Sequence, residues 1–327
     1  MIDVHELVKT YEGKRVLNEL SFHVTSGRVT AFLGPNGAGK STTLRMIMGV
    51  GKPDSGYATV LGVPYRELRS PLRSVGALLD ASAVHPGFSP RAHLDWLART
   101  HRIPPKRVTA VLELVGLSSA ATKRVGGFSL GMRQRLGIAA ALLGDPEVLL
   151  LDEPVNGLDP EGIRWFRKLV RALADEGRTV LVSSHLMTEM ALVADHVLVV
   201  GRGRVLADGP IGELVHREPT SVRLCSPQLP VLAEALREAG AHLEYDGSAG
   251  DGGQETAMVT GLPSGRIGDL AAEHGCSIHE LTPLRPALED IYLRLTDEAA
   301  EYRASIPVGD REVTSSSSDR NEVFARV

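Results

Sequence analysis

Val29-Thr30-Ala31-Phe32-Leu33-Gly34-Pro35-Asn36-Gly37-Ala38-Gly39-Lys40-Ser41-Thr42 decides how the rest of this chain is read. Val29 to Leu33 is an apolar run of the kind that forms a buried strand. A glycine-rich loop follows. Ser41 to Met48 then reads as a helix, with Gly49 as the residue that ends it. Gly34 to Ser41 matches G-x-x-x-x-G-K-[ST]. Glycines let successive backbone N–H groups turn inward around a polyphosphate. Lys40 can neutralise its outer oxygens, and the Ser41 hydroxyl can ligate magnesium. The helix directs its positive end at the same place. A plain glycine turn before a helix is the bland alternative. The strand before it and the helix after it favour the phosphate cradle.

Leu149-Leu150-Leu151-Asp152-Glu153 is an apolar strand that ends in two carboxylates. Asp152 can hold magnesium, and Glu153 can polarise an attacking water. Alone this is a weak signal, because strands often end in acidic residues. Read with Lys40, it completes a P-loop NTPase with a place for Mg2+.

Phe128-Ser129-Leu130-Gly131-Met132, followed by Arg133-Gln134-Arg135, resembles the signature of ABC ATPases, commonly Leu-Ser-Gly-Gly-Gln. It lies shortly before the Asp152 strand, and His185 ends the next strand, as in that family. The resemblance covers residues 1 to about 215 and implies a P-loop cassette whose nucleotide is ATP. Such a cassette is an α/β fold with a mainly parallel sheet, an antiparallel β subdomain and a helical subdomain, expected here at about 85–145. Leu284 to Thr296, with Leu288-Glu289-Asp290-Ile291-Tyr292, looks like the C-terminal extension of the drug- and antibiotic-exporter branch. That branch is ABC-2 type and similar to the daunorubicin- and bacitracin-resistance proteins.

The resemblance implies roles residue by residue. Tyr11 would stack on adenine, backed by Val16. Gly34, Pro35, Asn36, Gly37, Ala38, Gly39, Lys40, Ser41 and Thr42 would wrap the phosphates. Ser41 and Asp152 would hold the metal. Glu153, His185 and Lys40 would be catalytic, with His185 touching the γ-phosphate and keeping the Glu153 water in place. Ser129 and Gly131 would donate hydrogen bonds to the γ-phosphate bound by a second copy. Two cassettes would therefore meet head to tail, with Asn156-Gly157-Leu158-Asp159 crossing between them. Two positions depart from the family's pattern. Leu130 replaces a glycine and Met132 a glutamine, so an interface amide is lost. Asp80, after Val75-Gly76-Ala77-Leu78-Leu79, stands where the family usually has a glutamine that touches magnesium and senses the permease. Asp80 is expected to be a magnesium group acting through water; a simple loop carboxylate is the alternative.

The remaining sequence sets the frame. At 327 residues, with 43% hydrophobic and 23% charged residues, the chain has the composition of an ordinary globular protein. A net charge of -4 argues against a dedicated nucleic-acid binder. Cys225 and Cys276 form no C-x-x-C pair, which disfavours a disulfide framework or a zinc site. The first residues lack the apolar core of a secretory signal. No run approaches the ~20 apolar residues that span a bilayer. Another chain must then supply any membrane part.

Apolar patches at Val4, Leu7 and Val8, at Val16, Leu17 and Leu20, and at Phe22 and Val24 predict antiparallel strands around Glu12-Gly13-Lys14. Residues 90–116 read as two helices parted by Pro104-Pro105. Asp159 caps a further helix that Pro160 opens and Gly177 ends. Thr179–Ser183 and Val197–Val200 are further strands.

The composition shifts near Pro219. Strands at 220–226, 256–260 and near 276–281, with helices at 229–239 and 265–274, predict a small C-terminal α/β unit over 217–298. Leu288, Ile291, Tyr292 and Leu295 give its closing helix an apolar face. Residues 299–327, with Ser315 to Ser318, read as a disordered tail. The cassette itself would occupy 1–216.

The leading expectation is an ATP-hydrolysing subunit of an ABC-type exporter, with drug, antibiotic or lipid-like cargo. It would be cytoplasmic and peripheral on the inner face of the cell membrane, and ATP-driven dimerisation would power a separate permease. Alternatives are a soluble ABC ATPase unconnected with transport, acting on ribosomes or DNA, or the ATPase of a non-drug ABC-2 permease. A P-loop kinase or GTPase is disfavoured by Ser129, His185 and the lack of a guanine-reading Asn-Lys-x-Asp.

Overall fold

The computed structural model describes residues 1–216, 221–245, 255–284, 288–289 and 291–292. The chain opens β1 (Ile2–Tyr11), β2 (Lys14–Val24), β3 (Arg28–Leu33), α1 (Lys40–Ile47), β4 (Ser55–Val60), α2 (Pro71–Ser74) and β5 (Val75–Leu78). Then come α3 (Pro90–Thr100), α4 (Pro105–Leu114), α5 (Leu130–Leu142), β6 (Val148–Asp152), α6 (Pro160–Asp175), β7 (Thr179–Ser184) and α7 (Met187–Ala191). β8 (His196–Gly201), β9 (Arg204–Pro210) and α8 (Ile211–His216) close this part. After it come β10 (Ser221–Cys225), α9 (Leu229–Glu238), β11 (His242–Tyr245), β12 (Thr256–Thr260), α10 (Ser264–Glu273) and β13 (Glu280–Leu284).

β1 and β2 form the expected antiparallel pair, and Tyr11 faces Lys14 across the turn. Glu12 and Gly13 both have positive φ, 48° and 81°, as a two-residue type I′ hairpin turn requires. β4 flanks β1 on its other side, giving the order β2-β1-β4.

The central sheet runs β5-β6-β7-β3-β8-β9. Its first four pairings are parallel, and only β8 with β9 is antiparallel. β3, β6, β7 and β8 are almost continuously buried, as strands covered on both faces must be. Alternate side chains serve opposite cores. Ala31, Leu33, Leu149 and Leu151 join the core under the helices. Phe32, Val148 and Leu150 join the one shared with α1 and the antiparallel strands. Adjacent parallel β6, β7 and β3 bring the loops after Asp152, Ser184 and Leu33 to one sheet edge, where open α/β sheets bind ligands.

α3 and α4 appear on either side of Pro104, with Leu94, Ala98, Val108, Val111 and Leu112 buried. They pack with α5, which lies against β5. Asp159 caps α6, its carboxylate accepting from the Gly162 amide at 2.9 Å.

The third sheet has the order β11-β12-β10-β13 and is antiparallel throughout. With α9 and α10 it is a split β-α-β-β-α-β unit. Its own core includes Val222, Leu224, Leu232, Leu236, Val259 and Ile267. The strand expected near 276–281 begins only at Glu280, opposite Cys225. The residues before it are committed elsewhere. Gly275, at φ 64°, and the Cys276 amide, bonded to the Ala271 carbonyl, finish α10. The Ser277 amide is tied to the Gln228 side chain at 2.9 Å.

Leu288, Ile291 and Tyr292 are helical and buried. Leu288 and Tyr292 belong to the core under the central sheet, rather than to that of the C-terminal unit. The Glu289 carboxylate accepts from the Thr188 amide of α7 at 3.1 Å. Leu295, residues 246–253 and the expected tail at 299–327 lie outside the described residues. Among the described residues, no helix is long and apolar enough to cross a membrane.

Candidate functional site

β3 hands the chain directly to the glycine loop. A Cβ on Gly34 would lie 2.6 Å from the Val200 carbonyl oxygen, so only glycine lets the loop leave the sheet here. Gly37 and Gly39 follow with φ of 83° and 102°, and α1 starts at Lys40. Ser41 and Thr42 sit half-buried in its first turn. Lys40 is only 6% exposed. Its Nζ donates to the Gly34 carbonyl at 2.6 Å and the Pro35 carbonyl at 3.4 Å. It also lies 4.0 Å from Glu153 Oε1. Burial pushes the ammonium pKa down, while the charges of Glu153 and Asp152 pull it back up. A cation this desolvated gains strongly from an anion placed in the loop.

β6 delivers Asp152 and Glu153. Asp152 Oδ1 accepts from Ser183 Oγ at 2.5 Å. The same Ser183 Oγ accepts from the Glu153 amide at 3.0 Å, so one buried hydroxyl braces both acidic residues. Glu153 has φ 47°, a left-handed conformation that is uncommon outside glycine. Its carbonyl accepts from Gln134 Nε2 of α5 at 2.6 Å. Its Oε2 meets His185 Nδ1 at 2.7 Å. His185 follows β7 and is half-exposed, and the contact leaves its Nε2 available. Lys40, Glu153 and His185 therefore form one line of contacts. No local sequence pattern marks Gln134 for this contact, and Ser183 has little more to mark it. The apolar-to-polar switch at Ser183-Ser184-His185 is the signal that points to Ser183.

Other expected residues stand apart from that line. Ser129 is exposed and caps α5, its hydroxyl accepting from the Met132 amide at 3.2 Å. A Cβ on Gly131 would lie 2.5 Å from the Gly157 carbonyl oxygen, so this glycine admits the loop before α6. Leu130, in place of the usual glycine, packs over Gly157. Tyr11 is 47% exposed, with Lys9 Nζ 5.3 Å from its ring centre. Val16 meets the loop through its carbonyl, 3.0 Å from where a Gly39 Cβ would be.

Asp80 lies just beyond β5. Its Oδ1 accepts from the Ser82 hydroxyl at 2.6 Å and the Ser82 amide at 2.7 Å. These bonds, with a smaller pull from Arg45, hold its carboxyl below the usual range against a weak opposing effect of burial. One oxygen is thus engaged in its own turn.

The donors near the loop suit a hard cation. Ser41 and Asp152 offer only oxygen. No cluster of three or more His, Cys, Asp or Glu side chains among the described residues could hold a metal alone. Mg2+ fits such a place, because it is commonly bound by one or two protein oxygens together with substrate phosphates.

Comparison with known proteins now decides the family. Over 299 residues the chain is 34% identical to the bacitracin transport ATP-binding protein BcrA of Bacillus licheniformis, covering 90% of this chain and 97% of the relative. The chain belongs to the ABC transporter ATP-binding proteins. The family model described as "ABC transporter" matches residues 17–156, and one for a domain of unknown function matches 220–289. A Nod factor export ATP-binding protein of Burkholderia pseudomallei is 37% identical over 304 residues, 90% of this chain and 96% of that one. A solved ATP-binding subunit of an ABC transporter superposes with a TM-score of 0.61 at 25% identity, over 66% of this chain and 92% of its own. A bacterial ABC transporter cassette solved as a dimer has a TM-score of 0.60 at 23% identity, over 64% of this chain and 99% of its own, and shows the fold alone. This ABC subunit binds and hydrolyses ATP.

Proposed function

We propose that two copies of this ABC subunit close head to tail on ATP and drive a separate membrane permease that exports a drug-like, antibiotic or lipid-like molecule. The line from Lys40 through Glu153 to His185, set against the glycine loop, carries the reading. Tyr11 and Val16 hold the adenine, and residues 34–42 hold the phosphates. Ser41, Asp152 and a water-mediated Asp80 hold Mg2+, which when bound neutralises phosphate charge. Ser129 and Gly131 of the second copy close the site over the γ-phosphate.

Hydrolysis then needs little covalent work from the protein. Glu153 orients a water and accepts its proton as the oxygen bonds the γ-phosphorus. The bond from that phosphorus to the bridging oxygen breaks, leaving ADP and inorganic phosphate. Lys40 offsets the charge on the leaving and transferred oxygens. His185, anchored to Glu153 through Nδ1, can offer Nε2 to the γ-phosphate.

Export is favoured by the kinship with proteins named for bacitracin transport and Nod factor export. Cargo is then selected by the permease. A membrane position follows from that partner, since no described helix spans a bilayer. Expressed together with its permease, the chain should sediment with membranes; expressed alone, it should not. Equal sedimentation in both cases would remove the permease from the account.

Asp80 has a test of its own. With one oxygen already engaged by Ser82, the other is the one that would accept from a water of the metal. The Asp80→Gln chain should need a several-fold higher magnesium concentration for half-maximal ATPase activity. Superimposable magnesium curves would reduce Asp80 to a loop carboxylate.

A further inference from the structure

The acidic strand end is gripped from a direction the reaction itself does not explain. Glu153 stands in a left-handed backbone conformation, and two elements hold it there. On one side its amide donates to Ser183 Oγ and, at 3.2 Å, to the Ser183 carbonyl of β7. On the other, its carbonyl receives the Gln134 amide at 2.6 Å. Gln134 is 4% exposed, although α5 begins at an exposed serine. A buried amide of this kind has few other ways to satisfy its hydrogens. Its neighbour on α5 reaches α6 and the residue that caps it. Arg135 stacks over Trp165 at 4.9 Å and reaches Asp159 at 4.0 Å.

We propose that Gln134 is a positioning residue for Glu153, and that it ties the hydrolytic carboxylate of one nucleotide site to the helix that completes the other. α5 presents Ser129 at its first turn toward the nucleotide of the second copy. Gln134 lies within the next turn and a half of the same rigid helix and holds this copy's own Glu153. A shift of α5 as Ser129 engages the partner's γ-phosphate moves the Gln134 amide, and with it the backbone from which Glu153 aims. Each site then becomes competent only when the opposite end of the dimer has closed. The inference rests on the proposed reading of Glu153 as the group that orients the attacking water.

The test compares wild type, Glu153→Gln, Gln134→Met and the double variant as full-length chains, by steady-state ATPase kinetics and nucleotide affinity. Methionine keeps the length and volume of glutamine and removes the donor. Gln134→Met should lower kcat between about 10- and 100-fold, the cost of a misplaced catalytic group, with KM and ATP affinity within twofold of wild type. In the Glu153→Gln background the same change should lower the residual rate no further, because both act through one carboxylate.

A kcat within twofold of wild type would overturn the proposal. So would a loss that multiplies undiminished onto Glu153→Gln. If Gln134→Met does not fold, Gln134→Asn decides by the same criteria; it keeps a buried amide but carries it one methylene short. Unimpaired turnover by Glu153→Gln would remove the reading of Glu153 itself, and the proposal with it. An inactive Glu153→Gln beside an unimpaired Gln134→Met would remove the role of Gln134 alone.

Discussion

A Glu153→Gln chain should bind ATP about as tightly as wild type and turn it over roughly a thousand times more slowly, within the range for losing a positioned general base. The substitution keeps the side chain's shape and its contact distance to His185 Nδ1, now 2.7 Å. It removes the charge proposed to accept the water's proton. It also removes a negative charge lying 4.0 Å from Lys40, which leaves that ammonium freer to meet phosphate. Binding is therefore preserved while chemistry stops, and the ATP-bound state should accumulate. ATPase rates together with nucleotide-binding titrations measure both halves. Turnover near the wild-type rate would show that another group activates the water.

Lys40→Ala should have the opposite signature, weakening ATP binding itself. Hydrogen bonds to charged groups contribute about 1.5–3 kcal/mol, so the loss of affinity is expected at roughly 10- to 150-fold. The larger end of that range fits this lysine. It is 6% exposed and its charge is already disfavoured by burial, so the phosphate meets a poorly hydrated cation. The loop should survive, because its path is set by Gly34, Gly37 and Gly39 and by the start of α1. An equilibrium titration with ATP separates this from a folding defect when paired with a thermal melt. An affinity unchanged by the substitution would displace Lys40 from the phosphate site.

What could be read from the sequence was chemistry that is local. The glycine loop, the acidic end of β6 and His185 after β7 each occupy a few consecutive residues, and their strands are continuously apolar. The parallel order β6-β7-β3 turns those three separate signals into one site. Contacts made across elements were not legible. Nothing local to Glu153 announces a φ of 47°, and nothing local to Gln134 says that its amide reaches a carbonyl nineteen positions on.

Edge strands were missed for another reason. β9 and β11 carry only exposed or half-exposed side chains, and β9 has no apolar run longer than Val205-Leu206-Ala207. The apolar stripe at Leu288 and Tyr292 was visible, but its destination was not. It packs on the core of the cassette while Glu289 accepts from the amide of Thr188, three residues beyond His185.

The central claim is that one chain carries half of each site. The solution mass of the Glu153→Gln chain, measured by light scattering with and without ATP and magnesium, tests it most directly. The account predicts a species of the 35.0 kDa chain mass without nucleotide and twice that mass with it. A saturating, ATP-bound species that stays at 35.0 kDa would contradict it.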